Sequence, residues 1–182
     1  MNIGSVVVHP NCACYGVDEV RGTFQGSDRF LMRPLPTEAC KKTTLTDLIE
    51  QYMCAQPVQT ESKEDMCGQC STLASVWHAR HISNMERLGC LAIFLRKRGD
   101  SQNKNRCHVS LPNTLSLQGR SYKLIAAIQH CGSSAYHGHY VAWILLQHDL
   151  LLYNDAECLV FPTQNMPSFV EKNATLVVYE HR

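Results

Sequence analysis

The spacing of apolar and polar residues along this chain predicts strands far more often than helices. Short apolar runs and loose alternation recur between turn residues, which is typical of strands in a partly solvated sheet. The run from Cys90 to Leu95 has no polar interruption, which favours a strand buried on both faces. The predicted strands are 6–8, 22–24, 30–32, 72–82, 90–95, 122–129, 139–147, 150–153, 159–161 and 176–179.

One segment, residues 44–53, has the periodicity of an amphipathic helix. Its apolar residues recur at 45, 48, 49, 52 and 53, and Asp47 follows Thr44 by the spacing of an N-terminal capping box. A short helical turn is also predicted at 166–171. With so few helices, the pattern predicts a β-rich α+β fold with antiparallel strands.

Composition narrows the class of protein. The chain has 182 residues, of which 45% are hydrophobic and 18% charged, as expected of one globular domain with a sizeable core. A net charge of +1 without a basic block gives no case for nucleic acid as a partner. No stretch reaches the roughly 20 apolar residues of a membrane span, and residues 1–8 lack the features of a signal peptide. We therefore expect neither a membrane nor a nucleic-acid protein.

The ten cysteines favour a reduced, intracellular chain over a secreted disulfide framework. Cys67 and Cys70 form a C-x-x-C pair, Cys12 and Cys14 form a tighter pair, and the others are scattered singly. We therefore expect a cytoplasmic or nuclear protein with one candidate metal site.

A second candidate site lies near the C-terminal end. His139 begins a predicted strand, and Asn154 and Asp155 end the next one. A strand, a turn and a returning strand can bring these side chains together, which gives an imidazole and a group that orients it. That is two thirds of a Cys-His-Asn/Asp nucleophilic site. The alternative is a strand histidine beside an ordinary Asn-Asp turn.

Together these motifs resemble the C-terminal half of a ubiquitin-specific protease, one of the papain-like deubiquitinases described as fingers, palm and thumb. The resemblance covers roughly residues 5–182, and the block around His139 is its most specific part. The family's Gly-Asn-Thr-Cys-Tyr box, which carries the nucleophile in the thumb, does not occur. The matching blocks are 44–53, Cys67-Gly-Gln-Cys70, Leu91-Ala-Ile-Phe-Leu-Arg-Lys97, Val109-Ser-Leu-Pro112, 122–132, Gly138-His139-Tyr140-Val141-Ala142, Tyr153-Asn154-Asp155 and 174–182.

The resemblance implies a papain-like fold with an antiparallel palm sheet and zinc-ribbon-like fingers, the thumb being missing. The chain would be a single partial catalytic domain, with fingers over about 1–88 and a palm over about 89–182. The implied activity is thiol-dependent hydrolysis of the isopeptide bond at the ubiquitin C-terminus. Ubiquitin or a ubiquitin-conjugated protein would be the partner.

The absent nucleophile leaves several alternatives open. The chain is expected to be inactive alone, as a fragment, a natural short isoform or a pseudoenzyme. The alternative function is a binding or scaffold module for ubiquitin or a ubiquitin-like modifier. Cys131 and Cys158 lie near the His139 and Asn154 motifs in sequence, and Cys40 comes nearest to preceding a helix. None of the three clearly has the helix N-terminal setting of a papain-like nucleophile.

The resemblance also assigns roles. His139 would act as the general base, Asn154 would fix its tautomer, and Asp155 would help to arrange the site near the oxyanion. The predicted substrate-binding residues, which would line the path of the diglycine tail, are His130, Gly132, Gly138 and Tyr140. His130 is equally well explained as a structural residue at a strand end.

The predicted zinc site of the fingers combines the two cysteine pairs, Cys12 and Cys14 with Cys67 and Cys70, as a structural tetrahedron. His9 has H-x-x-C spacing to Cys12 and is an alternative ligand, since C-x-C departs from the family's C-x-x-C. The alternative is a finger without metal, whose thiols are ordinary buried side chains.

Other residues are assigned to core or surface. Residues 96–106 are predicted to be a solvated loop. The palm face that packs against the thumb in the family would be an exposed apolar patch, which predisposes the chain to association. The aromatic residues expected in the core are Phe94, Trp143, Tyr153, Phe169 and Tyr179.

Overall fold

The computed structural model describes residues 2–8, 30–34, 42–54, 56–58, 76–83, 88–97, 104–134 and 137–182. Among the helices of this part, none is long and apolar enough to cross a membrane. The elements in chain order are β1 (Asn2–Val8), β2 (Phe30–Pro34), β3 (Lys42–Thr44), α1 (Leu45–Met53), β4 (Gln56–Val58), β5 (Val76–Ser83), β6 (Cys90–Arg96), β7 (His108–Ser110), β8 (Thr114–Leu117), β9 (Arg120–Cys131), β10 (His139–Leu146), β11 (Asp149–Asn154), β12 (Glu157–Phe161), α2 (Ser168–Asn173) and β13 (Ala174–His181).

The chain divides into two compact units. The first unit comprises Met1–Asp28 and Glu50–Met85, and the second Arg29–Ile49 and Glu86–Arg182. In the first unit, β1, β5 and β4 form an antiparallel sheet in that order. The predicted strand at 22–24 lies outside the described residues.

In the second unit, a large sheet has the order β12-β11-β10-β9-β13-β6-β2, and β8 also pairs with β9. Its neighbours are antiparallel except for β2 and β6, which run parallel. A separate parallel pair joins β3 and β7. The prediction of a β-rich fold with mostly antiparallel strands and few helices is confirmed.

A bulge in β9 sets which side chains face the core. Strand β13 pairs Tyr179 with Leu124 but Val178 with Ala126, so Ile125 is an extra residue in β9. An extra residue reverses the alternation of side chains beyond it. Buried residues before and after the bulge therefore face the same side of the sheet, called here the covered side. They are Tyr122, Leu124, Ala127 and Gln129.

The covered side of this sheet packs against α2 and the segment between β7 and β8. Helix α2 contacts β7 and β9 and buries Val170. The Tyr179 hydroxyl donates a hydrogen bond to the Pro112 carbonyl at 2.9 Å. The buried residues that the sheet contributes here include Leu91, Ile93, Leu95, Trp143, Leu150 and Val177.

The opposite side of the sheet is less covered, and this corrects two predictions. In β6, Leu91, Ile93 and Leu95 are buried but Phe94 is exposed, so the strand is buried on one face and not on both. Among the aromatic residues expected in the core, Trp143 and Tyr179 are buried as predicted. The prediction is wrong for Phe94 and Tyr153, which lie on the less covered face, and for Phe169 of α2, which is half-exposed.

The predicted solvated loop at 96–106 is also wrong at two lysines. Lys97 is 3% exposed and donates to the Cys107 carbonyl at 2.6 Å. Lys104 is 8% exposed and likewise has carbonyl acceptors. Their ammonium groups are buried because main-chain oxygens replace the lost water.

Helix α1 begins with the predicted capping box. The Asp47 amide donates to the Thr44 hydroxyl at 3.0 Å, and the Thr44 amide donates to the Asp47 carboxylate at 3.3 Å. This reciprocal pair satisfies amides that the first helical turn leaves without an internal partner. The apolar face then buries Leu45, Leu48 and Ile49.

Candidate active site

The hairpin of β10 and β11 brings His139 to Asn154. Its register places Trp143 opposite Leu152. Two residues further along each strand, Val141 and Asn154 are opposite on the same face, and His139 lies diagonally across from Asn154. Diagonal neighbours on one face of an antiparallel pair are within reach of long side chains. Hairpin geometry alone therefore accounts for the meeting of these two residues.

The contact itself is short and directional. His139 Nε2 lies 2.6 Å from Asn154 Oδ1. A carboxamide oxygen can only accept, so the imidazole donates from Nε2, and in the neutral ring the lone pair is then on Nδ1. Since 46% of the His139 side chain is exposed, that nitrogen is not sealed within the core. The pair is thus arranged as an oriented general base.

Asp155 also lies near His139 Nε2. Its Oδ2 lies 3.8 Å from His139 Nε2. Asp155 occupies the turn between β11 and β12 with φ of 52°, a left-handed conformation that Asp adopts more readily than most residues. The side chain is mostly solvent-exposed. It therefore lies beside the His139–Asn154 pair and not between its members.

The four predicted substrate-binding residues also lie together, at the start of β10 and the end of β9. Tyr140 is opposite His130 in the register, and their rings are 4.8 Å apart between centroids. His130 is buried. A Cβ on Gly138 would overlap His130 Nε2 and lie 2.5 Å from the Cys131 carbonyl oxygen. A Cβ on Gly132 would lie 2.6 Å from the His137 carbonyl oxygen. Only glycine permits this approach of backbone to ring.

Lys104 is a residue of this region that the sequence did not suggest. Its ammonium donates to the His130 carbonyl at 2.6 Å, to Asn173 Oδ1 at 2.8 Å and to the Gly132 carbonyl at 3.4 Å. Burial lowers the pKa of Lys104, whereas a Cys131 thiolate would raise it and Arg106 lowers it further. A lysine in a polar loop carries no signal in the sequence that separates it from a solvated one.

Gln129 and Trp143 form a second polar contact that the sequence did not suggest. The indole Nε1 donates to Gln129 Oε1 at 2.7 Å, and both side chains are buried. The two residues are close because Val141, next to Trp143 on the same face, pairs with Gln129. This bond gives the buried Gln129 carboxamide a hydrogen-bond donor, on the strand next to the one that carries His139.

The thiols in the described part of the chain are Cys54, Cys90, Cys107, Cys131 and Cys158. Cys54 follows the C-terminal end of α1, and the others lie in or next to strands. None of these five precedes a helix, where the dipole would favour a thiolate. Cys131 is opposite His139 in the register of β9 and β10 and is exposed. Cys40 lies outside the described residues.

The predicted zinc ligands Cys12, Cys14, Cys67 and Cys70 lie outside the described residues, as does His9. Within the residues that are described, no group of three or more His, Cys, Asp and Glu side chains could hold a metal ion. The zinc site therefore stays a prediction.

An oriented His–Asn pair on a mostly antiparallel sheet has the geometry that the base and its orienting residue would have in a papain-like thiol hydrolase. Residues 35–179 match the family model described as ubiquitin carboxyl-terminal hydrolase. The chain therefore belongs to the ubiquitin carboxyl-terminal hydrolase family, and its domain is of the ubiquitin-specific protease type. A search of curated protein sequences finds no match.

Solved structures share this fold at low sequence identity. The SAGA deubiquitinating module of Ubp8, Sgf11, Sus1 and Sgf73 bound to monoubiquitin matches with a TM-score of 0.80 and 17% identity, over 100% of this chain and 40% of the other. A yeast SAGA module with a variant Sgf73 has a TM-score of 0.75 and 16% identity, over 100% and 40%. The module bound to ubiquitin aldehyde has a TM-score of 0.76 and 16% identity, over 100% and 41%. The chain thus spans about 40% of the length of these chains.

Proposed function

We propose that this chain binds the C-terminal tail of ubiquitin and supplies the base and the orienting group of a deubiquitinating site. The observation that carries the proposal is the 2.6 Å contact between His139 Nε2 and Asn154 Oδ1 in a chain of this family. Two of the structurally similar modules are bound to ubiquitin or ubiquitin aldehyde, which supports ubiquitin as the partner.

The proposed chemistry follows from the protonation of the ring. His139 Nδ1 removes the proton from a cysteine thiol, and the thiolate attacks the carbonyl carbon at the ubiquitin C-terminus. The imidazolium then returns the proton to the leaving amine nitrogen as the C–N bond breaks. Asn154 keeps Nε2 protonated throughout, and Asp155, beside the pair, helps to arrange the site near the oxyanion. Water hydrolyses the resulting thioester with His139 again as base.

The path of the tail is proposed to run along Gly132, Gly138 and Tyr140. Both glycines and the neighbouring Tyr140 are exposed, although the space that a Cβ would take is filled at both glycines by atoms of this chain. A diglycine tail, which has no side chains of its own, suits an approach this close to a backbone. His130, buried beneath Tyr140, supports this surface from below.

The nucleophile is proposed to come from outside this chain. None of the five described thiols has a helix N-terminus behind it, and this favours a second candidate function, a module that binds ubiquitin without cleaving it. Both candidates require ubiquitin binding. They differ in whether His139 takes part in chemistry once a thiol is supplied.

The test uses the purified chain and a ubiquitin probe with a C-terminal electrophile, alongside titration of unmodified ubiquitin. We expect saturable ubiquitin binding that weakens in Tyr140→Ala, and no covalent adduct. An adduct lost in His139→Ala and in Cys131→Ser would show that Cys131 is the nucleophile and would refute the proposal of an external thiol. Absence of binding by a folded chain would refute both candidate functions.

We also propose a structural zinc ion held by Cys12, Cys14, Cys67 and Cys70. Strand β1 ends at Val8 opposite Trp77 in β5, so the end of β1, which precedes Cys12 in the chain, lies beside the start of β5, which follows Cys70. Four thiolates satisfy the coordination of structural zinc. Metal analysis should give one zinc per chain and a large loss in Cys67→Ser. A reduced compartment, cytoplasmic or nuclear, suits these thiols.

A further inference from the structure

Lys104 is a buried cation that joins two elements next to the candidate site. Its three acceptors are the His130 and Gly132 carbonyls at the end of β9 and the Asn173 carboxamide at the end of α2. None of these acceptors is a carboxylate. Because a buried ammonium is costly without an anion, the site is explained by the three hydrogen bonds and not by charge pairing.

The His130 and Gly132 carbonyls belong to the two neighbours of Cys131, the residue of β9 that is opposite His139 in β10. Cys131 lies between His130 and Gly132 in the chain, and β9 pairs it with His139 of β10. The His130 ring in turn packs against the backbone of Gly138, the residue before His139. Fixing these carbonyls therefore fixes the part of β9 against which the start of β10 is aligned.

The third acceptor, Asn173, connects Lys104 to β10 through α2. Asn173 Nδ2 donates to the Phe169 carbonyl at 2.8 Å, and the Phe169 ring lies 5.5 Å from that of Trp143 in an edge-on arrangement. Trp143 is on the same strand and face as His139. Lys104 is thus connected to β10 both through the end of β9 and through α2.

We propose that Lys104 is a positioning residue for the His139–Asn154 pair, acting through the His130 and Gly132 carbonyls. This proposal rests on the proposed function, because the geometry of the His139–Asn154 pair matters only if the pair acts as base and orienting group. An ammonium suits the position because its three protons point in tetrahedral directions. The guanidinium of an arginine is planar, and an uncharged aliphatic side chain of the same length has no hydrogen-bond donors.

Lys97 provides a matched control within the same segment. It too is buried, and its ammonium donates to a main-chain carbonyl, but that carbonyl belongs to Cys107, just before β7. Removing either ammonium leaves a buried acceptor without its donor. Of these two lysines, only Lys104 donates to carbonyls at the end of β9.

The test records ring nitrogen spectra of the full chain labelled with ¹⁵N-histidine, with His139→Gln used to assign the His139 signals. The wild type should show the tautomer protonated at Nε2. Lys104→Met should shift the His139 nitrogens toward an average of the two tautomers, and Lys97→Met should leave them as in the wild type.

Unchanged His139 signals in folded Lys104→Met, or the same change in Lys97→Met, would overturn the proposal. If Lys104→Met does not fold, Lys104→Arg takes its place, and a folded Lys104→Arg chain with the wild-type pattern is equally contrary. The spectra need neither ubiquitin nor activity. A chain that fails to bind ubiquitin but shows the Lys104-specific shift would contradict the proposed function and leave the positioning role intact.

Discussion

At the scale of single residues, Gly138 has the least room for a side chain among the glycines that the structure describes. A Cβ there would overlap His130 Nε2 and lie 2.5 Å from the Cys131 carbonyl oxygen. Gly138→Ala must displace the buried His130 ring or separate β9 from β10. We expect a loss of about 1–3 kcal/mol in the free energy of unfolding, the usual cost of overpacking, together with weaker ubiquitin binding.

Gly89→Ala is the control for this substitution, because nothing lies within 4 Å of a Cβ at Gly89. Urea unfolding of the two variants measures the difference. The loss of unfolded-chain entropy favours both alanine variants alike. If Gly138→Ala were as stable as Gly89→Ala, the His130 contact would not limit the side chain at this position.

Lys97 makes stability depend on pH in the alkaline range. Burial lowers the pKa of Lys97 to about 8, with the Cys107 thiolate opposing and Lys104 adding to the shift. An unfolded lysine titrates near 10.5, so between these values the unfolded state binds more protons. The contribution of Lys97 to stability is therefore full above pH 10.5 and is lost as pH falls through 8. The full difference is roughly 3 kcal/mol.

The measurement is urea unfolding of wild type and Lys97→Met between pH 7.5 and 10. The stability of the wild type relative to Lys97→Met should rise with pH across this window. Lys123→Met, at a less buried lysine, should run parallel to the wild type. Parallel profiles for all three chains would mean that Lys97 titrates near its ordinary value.

At the scale of elements, one carboxylate holds α2 to the segment around β7. Glu171 Oε2 lies 2.6 Å from His108 Nε2, and Oε1 accepts from the Leu111 amide at 2.9 Å. Glu171→Leu leaves both donors of the β7 segment without this acceptor. We expect it to lower the free energy of unfolding by about 1–3 kcal/mol.

Lys172→Leu, at the exposed neighbouring residue of α2, should change stability by less than about 0.5 kcal/mol. Urea unfolding again gives the comparison. If Glu171→Leu were as mild as Lys172→Leu, α2 would be held mainly by the burial of Val170 and the bond from Lys104 to Asn173.

The long strands and α1 were predictable because each follows from a local rule. Strands β10 and β11 were predicted to within one or two residues from apolar runs on either side of a turn, and α1 from its capping box. The bulge at Ile125 was not predicted, since the sequence around it is uniformly apolar. The one-sided burial of β6 was missed for the same reason. Ala92 and Phe94 are as apolar as their buried neighbours, and only the packing of other elements distinguishes the two faces.

The same contrast holds for the candidate site. His139 and Asn154 were predictable because a hairpin brings them together whatever the rest of the fold does. Lys104 was not, because its acceptors lie at the ends of β9 and α2, far away in sequence. The role of such a residue arises from tertiary contacts, which leave no periodic signal in the chain.

At the scale of the whole molecule, the less covered side of the large sheet forms a continuous apolar surface, called here the open face. Cross-strand partners share a face, so the pairing registers of β6, β13, β9, β10, β11 and β12 place its residues in two rows. None of these side chains is buried. The rows are Phe94, Leu176, Ile128, Ala142, Tyr153 and Cys158, and Ala92, Val178, Ala126, Ile144, Leu151 and Val160.

An uncovered face of this kind predisposes a chain to associate, because burying it against another surface removes apolar area from water. We expect the mass measured by light scattering to rise with protein concentration. Val160 is 60% exposed and lies on the open face of the edge strand β12, so Val160→Lys should lower that mass without unfolding the chain. Leu159→Lys is the control, since Leu159 is 51% exposed on the opposite face of the same strand. A monodisperse monomer at every concentration would contradict association through the open face, and equal effects of the two lysines would assign it to the strand edge instead.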